Sequence, residues 1–302
     1  MDITKLEHLV AKVKTQPKKR LVAAYANDDH TIEAVYNAVN ENIIDAVLVG
    51  DEPTIKTVMQ AHDFDADKVR IVHETDENKA GSTAVALINN GEGDVLMKGL
   101  LSTDKYMRAI LDKEKGLMPS HKAVLSHITV FETPKYHKLL IAGDVAIIPA
   151  PDLTQKVAIA NYLIFTAKKL GITTPKVAVI AATEQMLPGM QACVDAAIIS
   201  KMSERGQIRG AIIEGPLSLD LALDKTSAQI KKVKNAVVGD VDCLLFPNIE
   251  SGNVFYKANT KLAGGELGAM VVGAKVPCVL TSRGDSARTK MYSIALAALT
   301  AK

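Results

Sequence analysis

Six consecutive residues near the C-terminal end, Thr281-Ser282-Arg283-Gly284-Asp285-Ser286, bring a guanidinium, hydroxyls, a flexible glycine and a carboxylate into one short stretch. They follow an apolar run at 278–280 and precede a helical pattern, which places them on a strand-to-helix turn. The planar donor fork of Arg283 matches phosphate oxygens in bidentate fashion. The alternative use of this turn is structural, with Asp285 or Ser286 capping the next helix.

Three further turns carry similar chemistry. Lys98-Gly99-Leu100-Leu101-Ser102-Thr103-Asp104 follows the strand-like run 94–97. Backbone N–H groups and a helix N-terminus there favour a bound anion, and Arg108 lies one helical turn further on, able to reach back. The plain alternative is a helix start capped by Ser102 or Thr103. Glu214-Gly215-Pro216-Leu217 sets a carboxylate at a strand end ahead of a shaped Gly-Pro turn. Glu214 can bind a ligand hydroxyl or amine, act as a base, or cap a helix. Asn253 and Lys257, four apart at the start of a helix, share a face and suit a phosphate-bearing ligand, or are simply solvated. His127, in the β-rich string Leu125-Ser126-His127, is the histidine to watch, with a structural role as its alternative.

Other chemistries are absent from the pattern. There is no Walker A loop and no Gly-x-Gly-x-x-Gly fingerprint. The seven histidines show neither HxxxH nor HxH spacing, so the reading expects no metal and no resident cofactor. Cys193, Cys243 and Cys278 are too widely spaced for a CxxC site and are expected as buried thiols, a nucleophile being the alternative.

The chain that must position these turns has 302 residues, with 36 Lys and Arg against 34 Asp and Glu, a net charge of +2. Such balance gives no reason to expect nucleic acid as a partner. Aromatic residues make up only 4% and Trp is absent, so the core is aliphatic, as in packed α/β layers. The N-terminus mixes charges without an apolar h-region, and no uncharged apolar run approaches the ~18 residues of a span, so a cytoplasmic protein without membrane contact is expected. Apolar runs at 21–24, 46–49, 69–72 and 95–97 alternate with helical patterns, which predicts a parallel sheet with helices on both faces. The runs 122–131 and 138–142 instead read as an antiparallel pair. Pro149 and Pro151 mark a boundary, after which a second α/β set runs on: strands near 177–182, 210–213, 243–246, 269–272 and 278–281, and helices near 190–202, 217–230, 252–262 and 286–299.

Several strings, taken in order, resemble the phosphate acyltransferase (phosphate acetyl/butyryltransferase) family, its butyryl branch more than its acetyl branch. They are Asp94-Val95-Leu96-Met97-Lys98-Gly99, Leu125-Ser126-His127, Ala150-Pro151-Asp152-Leu153, Glu214-Gly215-Pro216-Leu217, Glu250-Ser251-Gly252-Asn253 and the turn at 281–286. The resemblance implies acyl exchange between coenzyme A, as substrate, and inorganic phosphate. It also implies two α/β/α domains around a cleft, as in isocitrate and isopropylmalate dehydrogenases, with the last segment returning to the first domain. The expected division is 1–149 with 274–302, and 150–273 as the second, dimerising domain of a homodimer. By resemblance Ser282 and Arg283 are catalytic and Arg108 joins them. Lys98, Gly99, Ser102, Thr103 and His127 surround the phosphate, and Glu214, Asn253 and Lys257 are assigned to CoA. Where the acetyl branch has an aspartate base, this chain has Thr289, which leaves Asp285 as the substitute.

Overall fold

The computed structural model describes residues 3–281 and 284–302. The chain divides into two compact units. One comprises Glu7–Ala123 with Gly268–Lys302, and the other Val124–Leu267 with Met1–Leu6.

The first unit runs α1 (Leu6–Val13), β1 (Lys19–Ala24), α2 (Asp29–Asn40), β2 (Ile44–Gly50), α3 (Glu52–Ala61), β3 (Arg70–His73), α4 (Glu77–Asn89), β4 (Val95–Lys98) and α5 (Thr103–Leu111). The second unit follows with β5 (Ser126–Glu132), β6 (Leu140–Gly143), α6 (Leu153–Lys169), β7 (Lys176–Ile180), α7 (Gln191–Glu204), β8 (Ile212–Leu217), α8 (Leu219–Leu223), α9 (Lys225–Ile230), β9 (Cys243–Leu245) and α10 (Ile249–Lys261). The chain then returns to the first unit through β10 (Glu266–Val272), β11 (Cys278–Val279) and α11 (Ala287–Thr300).

In the first unit the strand order is β3-β2-β1-β4-β11-β10. Strands β1 to β4 and β11 are parallel, and β10 runs antiparallel to β11. Leu21, Val22, Val95, Leu96, Met97 and Val279 are almost wholly buried, the continuous apolar runs of a sheet covered on both faces. Helix α2 packs on α3 and α11, and α4 packs on α5, giving two helical layers. The chain moves outward from β1 to β3 and then jumps back to β4, so the carboxyl ends of β1 and β4 flank a topological switch point, where ligands of open α/β sheets bind.

In the second unit the order is β5-β6-β9-β7-β8, parallel from β6 to β8, with β5 antiparallel to β6. Helix α6 packs on β5, β6, β7 and β9, and α7 packs on β7 and β8. Helix starts here and in the first unit are set by side chains. Asp28, Asp51, Asp76, Ser102, Asn248 and Ser286 each accept the N–H that their helix leaves free, and Asp152 and Gln155 form a reciprocal capping box. Each such cap stabilises its helix by roughly 0.5–2 kcal/mol.

Three expectations are corrected. The domain boundary lies near 123, because β6 pairs with β9 and so draws residues 124–149 into the second unit. The single helix expected over 217–230 is two short helices, divided at Asp224, which caps the second of them. The Glu214 turn is part of strand β8. Its Gly-Pro step is accommodated by a register shift against β7 between Ala178 and Ile180, and the edge position of β8 leaves no neighbour that needs the missing proline N–H.

Candidate active site

The turn after β4 is tied to the end of β1. Gly99 N–H donates to Ala24 O at 2.9 Å, and Leu100 N–H donates to Tyr25 O at 2.8 Å. A Cβ on Gly99 would stand 2.4 Å from Tyr25 O and 2.6 Å from Ala24 O, so only glycine permits this approach. Tyr25 itself sits at φ 57°, in the left-handed region. Lys98, the last residue of β4, donates from Nζ to Gly99 O at 3.1 Å.

Helix α5 starts from this turn. Ser102 is its N-cap and accepts from Lys105 N–H at 3.3 Å, while Thr103 is its first residue. Ser102 N–H donates to Glu77 Oε1 at 2.8 Å, and Lys105 Nζ pairs with the other oxygen of Glu77, so α4 fixes the turn from behind. The Lys105 ammonium first, and the Ser102 N–H second, hold the Glu77 carboxyl below its ordinary pKa. Tyr106 is buried, with its hydroxyl 3.2 Å from Leu96 O and 3.3 Å from Val279 O, which locks α5 onto β4 and β11. Arg108 points outward: its side chain is 78% exposed and pairs with Asp104 at 2.9 Å across one helical turn.

Strand β11 runs parallel beside β4, with Val279 opposite Met97, so the carboxyl ends of the two strands lie on the same sheet edge. Ser282 and Arg283 lie outside the described residues. Ser286, not Asp285, caps α11, accepting from Thr289 N–H at 3.1 Å. Asp285 stands half-buried just before that cap. Thr289 therefore serves as the capped position where the resemblance has an acid in the acetyl branch.

In the second unit the structure brings together residues that the sequence kept apart. Asp144, only 2% exposed, follows β6. It accepts from Ser126 Oγ at 2.9 Å and His127 N–H at 3.0 Å through one oxygen, and from Ala146 N–H at 2.7 Å and Ile147 N–H at 2.8 Å through the other. His127 is buried in β5, its Nδ1 3.2 Å from Thr129 Oγ1. Asn253 donates from Nδ2 to Val145 O at 3.1 Å, and a Cβ on Gly252 would meet Asp144 O at 2.3 Å, so the start of α10 closes on the same loop. Lys257 lies over the Tyr256 ring, 4.7 Å from its centroid. Glu214 bonds its own neighbour, accepting from Gly215 N–H at 3.2 Å. Sequence reasoning missed Asp144, although an Asp directly after an apolar strand-like run was the available signal. Replacing Asp144 with Ala strands buried donors, and a loss of about 3 kcal/mol in urea denaturation is expected.

The described residues contain no group of three or more His, Cys, Asp or Glu poised to hold a metal. No described helix is long and apolar enough to cross a membrane.

Two α/β units, with a glycine turn and a capped helix start at the switch point of the first, define an α/β protein of the open-sheet class. The sequence places it further. The family model described as "Phosphate acetyl/butaryl transferase" matches residues 5–83 and 77–298, and this chain belongs to that family. It is 43% identical to a phosphate butyryltransferase of Clostridium acetobutylicum, over 99% of both chains. It is 40% identical to a phosphate acetyltransferase of Thermotoga maritima, over 97% of this chain and 99% of that one. The solved structure of a branched-chain phosphotransacylase from Enterococcus faecalis superposes with a TM-score of 0.81 at 28% identity, covering 93% of this chain and 98% of that one. A 4-hydroxythreonine-4-phosphate dehydrogenase from Klebsiella pneumoniae shares the fold alone, with a TM-score of 0.59 at 13% identity over 95% of this chain and all of that one. The dehydrogenase-like α/β fold implied by the sequence resemblance is therefore the one present.

Proposed function

We propose that the chain exchanges a short acyl group between coenzyme A and inorganic phosphate, with butanoyl-CoA and phosphate giving butanoyl phosphate and CoA. The full-length match to a curated phosphate butyryltransferase carries this reading. In this direction a phosphate oxygen bonds to the thioester carbonyl, the C–S bond breaks, and the CoA thiolate leaves and takes up a proton. The reverse reaction needs the thiolate as nucleophile.

Each assigned group has a role in that exchange. Arg283 and Arg108 hold the phosphoryl oxygens, with Lys98, Gly99, Ser102 and Thr103 beside them at the start of α5. Ser282 donates to the carbonyl oxygen as charge develops there. Asp285 handles the proton. His127, Glu214, Asn253 and Lys257 belong to the second unit, where the last three are assigned to CoA and His127 to the phosphate end. The second unit is also the surface proposed to form a homodimer in a cytoplasmic enzyme.

The acyl group passes directly within a ternary complex. Cys193, Cys243 and Cys278 are all buried. Burial pushes the Cys278 thiol up to about 12 and the Cys243 thiol well above its ordinary range, so neither supplies a thiolate. The test is thiol release from butanoyl-CoA in the presence of phosphate, followed by denaturation of enzyme incubated with labelled butanoyl-CoA alone. Phosphate-dependent release with no protein-bound label is expected, whereas label on protein would overturn direct transfer. A second reading, preference for acetyl-CoA, is favoured by the nearly equal identity to an acetyltransferase. One methylene contributes only about 1–3 kcal/mol in an apolar pocket, so the ratio of kcat/KM for the two thioesters decides between them.

A further inference from the structure

Tyr25 directly follows β1 and leaves the extended conformation of that strand for φ 57°. Among the described residues, Asn42, Asp63 and Lys232 are the other non-glycine residues in the left-handed region. Each of those three comes one residue after a helix cap, at Glu41, His62 and Lys231, where a left-handed residue commonly closes a helix. Tyr25 closes no helix. A bulky side chain at such a φ is a steric outlier, and residues of this kind gather at functional sites when their surroundings fix them.

The main chain around Tyr25 is fixed from several sides. Tyr25 O accepts from Leu100 N–H at 2.8 Å, and the Gly99 main chain packs directly against it. Ala26 N–H donates to Val49 O at 2.8 Å, and Asn27 Oδ1 accepts from Asp51 N–H at 2.9 Å. Asp28 then caps α2, accepting from Thr31 N–H at 3.0 Å. The side chain is treated differently. Tyr36, Tyr106, Tyr136 and Tyr162 all engage their hydroxyls with main-chain groups. Tyr25 is half-buried, and its hydroxyl has no hydrogen-bond partner among the described residues. The buried side-chain atoms without a partner are Thr166 Oγ1 and Asn259 Oδ1, so the Tyr25 oxygen is not sealed in and a ligand can reach it.

A phenol hydroxyl donates well to an anionic oxygen, and such charge-assisted bonds are the stronger ones. This hydroxyl belongs to the residue on which the Gly99 turn is built, at the carboxyl end of β1 and beside the switch point. We propose that Tyr25 is a phosphate-binding residue of the acyl-exchange site, its hydroxyl donating to a phosphate oxygen held at the Gly99 turn. The assignment rests on the acyl exchange put forward above and adds a neutral donor to the cations named there. The left-handed backbone is the pre-set geometry that keeps this donor in place.

The test uses the full-length chain and two readouts. Inorganic phosphate alone should raise the Tm of the parent, because a ligand that binds the folded state stabilises it. Tyr25→Phe keeps the ring, so its Tm without phosphate should match the parent, while the rise with phosphate is lost. In thiol release from butanoyl-CoA, Tyr25→Phe should raise the KM for phosphate by about tenfold and leave the KM for butanoyl-CoA unchanged. A structural role would instead lower Tm without separating the two KM values. Should Tyr25→Phe fail to fold, Tyr25→Asn, whose side chain tolerates the left-handed region, supplies the same comparison. A parental response to phosphate in the variant, a change confined to the KM for butanoyl-CoA, or a parent that phosphate does not stabilise overturns the proposal. A parent that binds phosphate yet releases no thiol counts against the acyl exchange alone, and the Tm comparison then decides Tyr25.

Discussion

Substituting Ala for Gly99 is expected to destroy the enzyme as a folded catalyst. The added methyl carbon would lie 2.4 Å and 2.6 Å from two carbonyl oxygens at the end of β1, and backbone atoms cannot swing aside as a side chain can. Relief requires β4 to separate from β1, which breaks the bonds from Gly99 and Leu100 to Ala24 and Tyr25. Overpacking in a well-filled interior typically costs 1–3 kcal/mol, and a clash against main chain on two sides belongs at about 3 kcal/mol or above. Thermal melting should show a large drop in Tm, and any residual folded protein should have lost phosphate-dependent thiol release. A variant that melts and turns over like the parent would remove Gly99 from the site.

Arg283→Ala should behave in the opposite way, with the fold intact and turnover lost. Residue 283 lies outside the described residues, in sequence between Thr281, which follows β11, and Ser286, the cap of α11. Removing a donor aimed at the reacting group lowers kcat by roughly 10²–10³. Arg283→Lys keeps a charge but loses the bidentate fork, and should recover only part of that loss. Unchanged Tm with collapsed kcat is the expected result, measured by thiol release at saturating phosphate. Arg108→Ala provides the comparison. Because Arg108 is exposed and pairs with Asp104, its loss should appear first in the KM for phosphate. Near-parental turnover in Arg283→Ala would transfer the anion-binding role elsewhere.

Much of the scaffold was readable from residue pattern. The four apolar runs before residue 100 became β1 to β4, because buried parallel strands need uninterrupted aliphatic residues and the helices between them need a period near 3.6. Capping chemistry included Ser102 and Ser286 among its candidates, and each is the cap observed. What pattern did not yield was pairing over distance. The boundary at 149 failed because proline punctuation says nothing about β6 joining β9, a hundred residues later. Glu214 was placed in a turn because Gly-Pro reads as a breaker, yet an edge strand with a register shift tolerates both residues. Asp144 escaped notice because its value lies in four donors, from β5 and from its own loop, that only folding assembles. The site at the switch point was half legible. Spacing identified the Gly99 turn, whereas the bracing of Ser102 and Lys105 by Glu77 is a contact across 25 and 28 residues that carries no local signature.

The return of the final segment has a consequence for biosynthesis. Strand β11 is seated between β4 and β10, and it follows the whole of residues 124–267 in the sequence. While the ribosome is still translating the middle of the message, β4 presents an unpaired edge, the kind of surface that invites association with other chains. Residues 124–267, by contrast, are contiguous and emerge as a set. Residues 124–267 should therefore mature first during translation, while residues 7–123 wait, exposed to chaperones, for β11 to leave the exit tunnel.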